Sequence, residues 1–194
     1  MREAGRCMAE RDGFKLYECF IGATFSKARQ GGDGSGAIKL GHGVKIMLVV
    51  DAAGLPAAAY AASATPPHES LLVQGLFDFM ATATPPERIV GDKAYDSDAL
   101  DADLAERGGE LIAPHRINRQ KLSTQDGRPL RRFKRRWSVE RLISWLQNFR
   151  GLCIRWEKSA CLFQAMLHLR LLNSVAEGGV RIPLVWSNIL RSMI

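Results

Sequence analysis

The sequence predicts an α/β fold with a mixed five-stranded sheet covered by helices on both faces. Three observations lead to this prediction. Three strand-like segments come first in the chain, helix-like and strand-like segments then alternate, and two helices come last. The predicted element order is therefore βββ-α-β-α-β-α-α. The length of 194 residues is suited to one domain. A hydrophobic content of 46% and a charged content of 24% are typical of globular proteins and argue against disorder.

The first three strands are expected to form an antiparallel meander. Residues 17–26, YECFIGATFS, alternate like a half-buried strand, but Gly22 interrupts the interior, where glycine usually marks a bulge or a close contact. The continuous apolar run 44–50, VKIMLVV, is typical of a strand buried on both faces. Residues 55–63, LPAAAYAAS, predict the third strand, and the glycine-rich stretch 27–43 predicts a long loop.

The remaining segments predict alternating helices and strands. Apolar spacing and helix-terminus residues predict helices, and short apolar runs predict strands. The expected helices are 68–81, 96–108, a long helix at 130–151 closed by Gly151, and a final helix at 159–179. The expected strands are 88–95 and 109–115.

Residues 1–177 are expected to form one domain, with a strand core from about residue 14, followed by a tail at 178–194 of uncertain structure. The sequence has no run of eighteen apolar residues and no apolar signal-peptide region, which predicts a cytoplasmic protein. Its four cysteines lack C-x-x-C and zinc spacing, so they are interpreted as reduced thiols.

Positive charge is concentrated in one part of the chain. The net charge is +7, but residues 112–158 hold thirteen Arg or Lys against three acids, which leaves a charge of −3 for the rest. The run RRFKRR at 131–136 contains no acid. Such a basic block favours a polyanionic partner, nucleic acid above all, over a solvated helix face, where acids and bases usually alternate.

Two acids are candidates for chemistry. Asp92 follows a short apolar strand, and the carboxyl edge of an α/β sheet is where such proteins place their sites. A turn or capping role is the structural alternative, but Asp96 and Ser97 are expected to cap the next helix. Glu140 is the only acid between Arg128 and Arg155. At about 100° per residue it lies on one helix face with Phe133, Arg136, Ser144 and Gln147, where it either neutralises an arginine or holds a cation beside phosphate.

Four stretches together resemble the catalytic domain of bacterial insertion-sequence transposases of the family-five type: GVKIMLVVDAAGLP, GDKAYDSDAL, ELIAPHR and TQDGRPLRRFKRRWSVERLISWLQNFR. These are DDE enzymes with a ribonuclease-H-like fold. The resemblance covers roughly residues 14 to 175. Its most specific motif, Tyr-x2-Arg-x3-Glu-x6-Lys, corresponds here to Phe133, Arg136, Glu140 and Gln147, so the arginine and the glutamate match.

The resemblance implies a metal-dependent enzyme of DNA strand cleavage and transfer. Asp92 and Glu140 would be its second and third catalytic acids and would ligate Mg²⁺ or Mn²⁺. The partner implied is double-stranded DNA, both transposon ends and target, with a homodimer left open and a nucleoid-associated location. The residues expected to contact DNA are Arg131, Arg132, Lys134, Arg135, Arg136, Arg141 and Gln147.

The first acid of the family's triad is missing. The family motif Ile-Asp-Gly-Thr-Phe aligns with Ile21 to Phe25, and Gly22 occupies the position of the aspartate. Loss of an essential metal ligand is expected to reduce cleavage on the order of 10³-fold or more. Glu18, Asp51 and Asp33 are weak candidates for replacing it, since the first two lie roughly 13 Å away along a strand.

The sequence therefore predicts a transposase catalytic domain that is inactive or severely impaired. A non-catalytic DNA-binding remnant is the main alternative, and a nuclease of the same fold acting on branched or RNA-containing substrates is a weaker one. The N-terminal DNA-end-binding region usual in such transposases is expected to be absent, because only about fifteen residues precede the first strand.

Overall fold

The computed structural model describes residues 14–38, 41–65, 69–82, 84–117, 119 and 129–176. Its strands are β1 (Cys19–Ala28), β2 (Gly36–Ile38), β3 (Gly41–Val50), β4 (Pro56–Ser63), β5 (Arg88–Val90), β6 (Glu110–Ile112) and β7 (Ile154–Arg155). Its helices are α1 (Glu69–Phe77), α2 (Asp98–Glu106), α3 (Trp137–Leu146), α4 (Arg150–Cys153) and α5 (Ala160–Ala176). Two 3₁₀ helices, Lys93–Tyr95 and Pro129–Arg136, precede α2 and α3. Residues 1–13 and the predicted tail at 178–194 lie outside the described residues.

The strands form one mixed sheet in the order β2-β3-β1-β5-β6. β1 and β3 pair antiparallel, and β1, β5 and β6 are parallel neighbours. Two positions in the sheet each hold two short strands end to end. β2 pairs with the start of β3 and β4 with the rest, while β5 pairs with the start of β1 and β7 with its end.

Apolar side chains alternate between two cores, one on each face of the sheet. On one face Phe20, Leu48 and Val90 pack with apolar residues of α3, α4 and α5. On the other, Ile21 and Met47 pack with α1 and α2. Because successive strand residues point to opposite faces, a continuous apolar strand such as 44–50 is buried on both sides. The predicted mixed sheet with helices on both faces is confirmed.

Three details of the prediction are wrong. The strand expected at 88–95 ends at Val90, and Lys93–Tyr95 form a 3₁₀ helix. The stretch 27–43 is not one loop, since it contains the end of β1 and all of β2, so the five predicted positions across the sheet hold seven strands. The long helix 130–151 is divided into the 3₁₀ helix Pro129–Arg136, α3 and α4. α3 ends at Leu146 and Gly151 lies inside α4, so Gly151 does not close a long helix.

The described cysteines, Cys19, Cys153 and Cys161, are free thiols, as the sequence predicts. Cys19 is fully buried at the start of β1. Burial, together with the nearby carboxylates of Asp51 and Glu18, raises the pKa of its thiol to about 12. Cys19 therefore packs as an apolar side chain and is not a nucleophile.

Candidate active site

Gly22 lies on β1, and Asp92 lies just beyond the end of β5, the parallel neighbour of β1. The last pair of the parallel register is Phe20 with Val90, and Gly22 and Asp92 each follow it by two residues. Residues opposite each other in a parallel pair face the same side of the sheet, here the side covered by α3. The chain turns into the 3₁₀ helix Lys93–Tyr95 directly after Asp92.

The Asp92 carboxylate has two different neighbours. Its Oδ1 accepts a hydrogen bond of 2.8 Å from the backbone N of Ala94 and so caps the 3₁₀ turn. Its Oδ2 lies 3.7 Å from Nη1 of Arg136. The expectation that Asp92 is not needed for capping is therefore wrong, and Ser97 at the start of α2 makes no side-chain capping bond. Only one Asp92 oxygen faces the basic segment, and the side chain is 39% exposed.

Glu140 meets the same guanidinium from the other side. Its Oε1 accepts a hydrogen bond of 2.8 Å from Nη2 of Arg136, which lies one helical turn earlier. The Arg136 side chain is only 17% exposed, and its guanidinium lies 5.4 Å above the ring of Phe133. Asp92 and Glu140, far apart in sequence, thus converge on one arginine, and this small cluster carries one more negative than positive charge.

Gly22 is in close contact with the helix that carries Glu140. A Cβ atom at residue 22 would lie 3.0 Å from Cγ2 of Val139 and 3.3 Å from Cδ1 of Ile143. The register between β1 and β3 is continuous from Phe20 to Lys27, so Gly22 is not at a bulge of that ladder. Of the two structural explanations for the glycine, close packing is confirmed and a bulge is wrong.

The three acids considered as substitutes have other roles. Glu18 is fully buried and binds Arg132 and Arg135. Asp51 is also buried and accepts three backbone hydrogen bonds, from the N–H groups of residues 15, 53 and 55. Asp33 donates its backbone N–H to the carbonyl of Lys158, beyond the far end of β1. None of them accompanies Asp92 and Glu140.

The carboxylates that remain do not complete a two-metal site. Such a site needs several carboxylates whose oxygens can bridge two cations. Within the described parts of the chain, no group of three His, Cys, Asp or Glu side chains is arranged to hold a metal ion. Asp92 and Glu140 are two oxygen donors that share one arginine, and Gly22 is packed against Val139.

A second polar cluster holds the turn after Asp92, and the sequence reading missed it. Arg116 donates from Nε to the carbonyl of Lys93 at 3.0 Å and from Nη2 to the carbonyl of Ala94 at 2.9 Å. Asp96 accepts from the backbone N of Arg116 at 2.8 Å. The only sequence signal for this cluster was that ELIAPHR ends a strand at the same edge as Asp92.

Asp96 is the buried centre of that cluster. Besides Arg116, it contacts Nδ1 of His115 at 2.9 Å and Nη1 of Arg119 at 2.8 Å. Burial alone raises the pKa of the Asp96 carboxyl, but the hydrogen bonds from Arg116 and His115 and the charge of Arg119 outweigh it, so the pKa is lowered. The ionised carboxylate therefore stabilises the turn that positions Asp92.

The predicted DNA-contacting residues have different surroundings. Arg131 and Lys134 are exposed, whereas Arg132 and Arg135 bind Glu18. The structure places the other three as follows: Arg136 lies between the two acids, Arg141 lies 4.8 Å above the exposed ring of Trp137, and Gln147 donates to Oγ1 of Thr24 at 3.1 Å. The basic segment is thus partly tied to the sheet through ion pairs and partly free to meet solvent.

Comparisons with known proteins show which family this chain resembles. A family model described as the transposase DDE domain matches residues 18–174. A Burkholderia cepacia protein assigned as the transposase for insertion sequence element IS402 is 32% identical over 139 residues. That match covers 66% of this chain and 60% of the relative, so the chain spans less than two thirds of the relative's length.

Two solved structures are among the matches. A piggyBac transposase in a synaptic complex with hairpin DNA has a TM-score of 0.53 at 10% identity, over 80% of this chain and 45% of that one. The Mos1 transposase catalytic domain, solved with raltegravir and Mg, has a TM-score of 0.40 at 10% identity, over 91% and 88% of the two chains. The likeness to the piggyBac enzyme concerns the fold alone and confirms the predicted ribonuclease-H-like class. Of the helices described here, none has the length and apolar character needed to cross a membrane.

Proposed function

Because the chain belongs to the family of transposases with a DDE domain, we propose that it is a DNA-binding transposase catalytic domain whose strand cleavage is impaired. The ancestral reaction would be DNA strand cleavage and transfer for the transposition of an insertion sequence. The proposed catalytic residues are Asp92 and Glu140, and the proposed metal is Mg²⁺ or Mn²⁺. The observation that carries the proposal is the convergence of both acids on Arg136, with Gly22 packed against the helix that carries Glu140.

The impairment follows from the number of carboxylates. A bound divalent cation would supply charge neutralisation at the scissile phosphate and a more acidic bound water. With Gly22 in the third position, only two carboxylates balance the charge of the cations. Arg136 moreover binds both carboxylates and competes with a cation for them. We expect weak metal binding and cleavage reduced on the order of 10³-fold or more.

Double-stranded DNA is the proposed partner, bound through the basic segment before α3. Arg131 and Lys134 are exposed there, and Arg141 follows on α3. Contacts of this kind bind phosphate and give salt-dependent affinity with little sequence readout. A DNA-binding protein that has lost cleavage altogether is the second candidate, favoured by the absence of a group of three metal ligands among the described residues.

The test is metal-dependent nicking of duplex DNA containing the ends of the source element. The natural chain is compared with Gly22→Asp, and Gly22→Asp/Glu140→Gln controls for cleavage by a contaminant. We expect traces of cleavage or none from the natural chain, a gain with Gly22→Asp, and loss of that gain in the double variant. Efficient cleavage by the natural chain that Gly22→Asp leaves unchanged would contradict the proposed impairment. A folded Gly22→Asp protein that binds the DNA without cleaving it would favour the second candidate.

A further inference from the structure

Glu18 is a buried carboxylate that the proposed chemistry does not use. It lies directly before β1 and has no exposed surface. Its Oε1 accepts hydrogen bonds from Nη1 of Arg132 at 2.6 Å and from Nη2 of Arg135 at 2.9 Å. Its Oε2 lies 2.7 Å from the same Nη2, an ion-pair contact without hydrogen-bond geometry. A buried charge is costly unless it is paired, so these two contacts are what makes Glu18 tolerable at this position.

The 3₁₀ conformation of Pro129–Arg136 brings the two arginines to the same acid. With three residues per turn, side chains at i and i+3 are in line along a 3₁₀ helix, whereas in an α-helix they diverge. Arg132 and Arg135 have this spacing and both meet Glu18. Arg131 and Lys134 belong to the same segment and point into solvent.

Toward the residues that the structure describes, the pair retains donors beyond those that contact Glu18. A guanidinium has five N–H groups, and each arginine contacts Glu18 through a single terminal nitrogen. The side chains of Arg132 and Arg135 are 37% and 52% exposed, so the remaining donors reach the surface. Two cations and one anion leave a charge of +1 with donors only. The ligand that fits is an anion with several oxygens, and a phosphate accepts bidentate arginine contacts well.

The position of this pair relates it to the candidate active site. Glu18 precedes Gly22 by four residues and so faces the same side of the sheet. The strand spacing separates the two by roughly 13 Å. Glu18 thus anchors the arginine pair on the face of the sheet that carries the candidate site.

We propose that Glu18 is a positioning residue that holds Arg132 and Arg135 as a fixed clamp for a DNA backbone phosphate, on the same face of the sheet as Asp92 and Glu140. The proposal rests on the proposed DNA binding of the chain. It divides the basic segment into two classes. Arg132 and Arg135 are held in place before DNA arrives, whereas the exposed Arg131 and Lys134 meet phosphate without such an anchor.

Replacing Glu18 changes DNA affinity in opposite directions under the two explanations. Glu18→Gln removes a negative charge beside the basic surface, so charge alone predicts tighter DNA binding. If Glu18 positions the arginines, the same change weakens binding, because the clamp loses its geometry. Arg132→Lys serves the same purpose, since it keeps the charge and removes the planar fork.

The assay is fluorescence anisotropy of the full chain with a labelled 30-base-pair duplex over a range of NaCl concentrations, with a thermal melt of each variant. Loss of one phosphate contact lowers the salt slope by about 0.9 and the affinity roughly tenfold near 0.1 M salt. We expect that loss for Arg132→Gln and Arg135→Gln, and clear weakening for Glu18→Gln and Arg132→Lys. Arg131→Gln and Lys134→Gln, each with the same change in charge, should lose only two- to threefold, on the order of a non-specific charge effect.

Tighter binding by folded Glu18→Gln, or equal losses at all four basic positions, would overturn the clamp and leave the proposed function intact. Failure of the natural chain to bind the duplex at any salt concentration would overturn the proposed DNA binding itself. If Glu18→Gln does not fold, the affinities of Arg132→Gln and Arg135→Gln are compared with those of Arg131→Gln and Lys134→Gln. That comparison then decides whether the clamp exists. A lower Tm for these two with no extra loss of affinity would show that the ion pairs are structural only, and would equally overturn the clamp.

Discussion

The Gly22→Asp change has a stability cost that the structure allows to be separated into two parts. Gly22 has no positive φ, so a side chain needs no backbone change. The new Cβ would lie 3.0 and 3.1 Å from the two methyl groups of Val139, and these must move by a few tenths of an ångström. Overpacking of this kind costs about 1–3 kcal/mol, while replacing a glycine in a strand returns about 0.5–1 kcal/mol. We expect Gly22→Ala to lose about 1 kcal/mol of unfolding free energy.

The carboxylate adds an electrostatic cost. In Gly22→Asp three carboxylates share the single guanidinium of Arg136, and like charges at this range cost about 1 kcal/mol or more in a partly exposed setting. The total loss of about 2 kcal/mol lowers Tm by about 4–8 °C without divalent cations. A cation at about ten times its Kd returns about 1.4 kcal/mol to the protein that binds it. Mg²⁺ should therefore raise the Tm of Gly22→Asp by about 3–6 °C and that of the natural chain by much less.

The assay is thermal unfolding of the natural chain, Gly22→Ala, Gly22→Asn and Gly22→Asp, each with EDTA and with Mg²⁺ or Mn²⁺. Gly22→Ala isolates the packing cost, and Gly22→Asn adds the shape of the side chain without its charge. Equal Mg²⁺ stabilisation of the natural chain and Gly22→Asp would refute the inference that residue 22 completes the site. A Gly22→Ala protein more stable than the natural chain would refute the packing argument.

Two further predictions concern other parts of the molecule. Arg116→Gln removes two charge-assisted hydrogen bonds from the turn after Asp92, so chemical denaturation should show a loss of about 1–3 kcal/mol in unfolding free energy. The control Arg88→Gln breaks an exposed ion pair and should lose under about 1 kcal/mol, and equal losses would contradict the role of Arg116. Burial lowers the pKa of His168 in the folded state. The stability that His168 contributes is therefore fully present above about pH 6.5, the ordinary pKa of histidine, and is lost as the pH falls through the lowered pKa of the folded protein. Between pH 7 and pH 5, Tm should therefore fall less in His168→Gln than in the natural chain, and the exposed control His42→Gln should behave like the natural chain. If Tm falls equally steeply with pH in His168→Gln and in the natural chain, His168 is not the group responsible.

The sheet could be predicted from the sequence because its signal is local. Residues 44–50 are apolar throughout and form a strand buried on both faces, and the acid after 88–90 does lie at a carboxyl edge of the sheet. The convergence of Asp92 and Glu140 followed from the family resemblance, and the structure brings both to Arg136. Their roles as metal ligands remain predictions.

What the sequence could not predict depends on contacts between distant residues. The periodicity at 130–151 was read at 100° per residue, which assumes one α-helix. The 3₁₀ conformation at Pro129–Arg136 accompanies pairing of two of its arginines with Glu18, more than a hundred residues earlier in the chain. The contact of Gly22 with Val139 is equally non-local. A single sequence records neither, because neither leaves a periodic pattern.

The two edges of β1 are paired very differently. Along β3 the register runs from Phe20 to Lys27, whereas on the other edge β5 covers only residues 19–20 and β7 only residues 27–28. Among the described strands, none pairs with the middle of β1 on that second edge. The segment around Gly22 is thus anchored along one edge and at both ends, and its free edge can open without breaking the sheet. Slow and fast amide exchange should therefore alternate along a single strand, with the faster positions on the edge beside the candidate site.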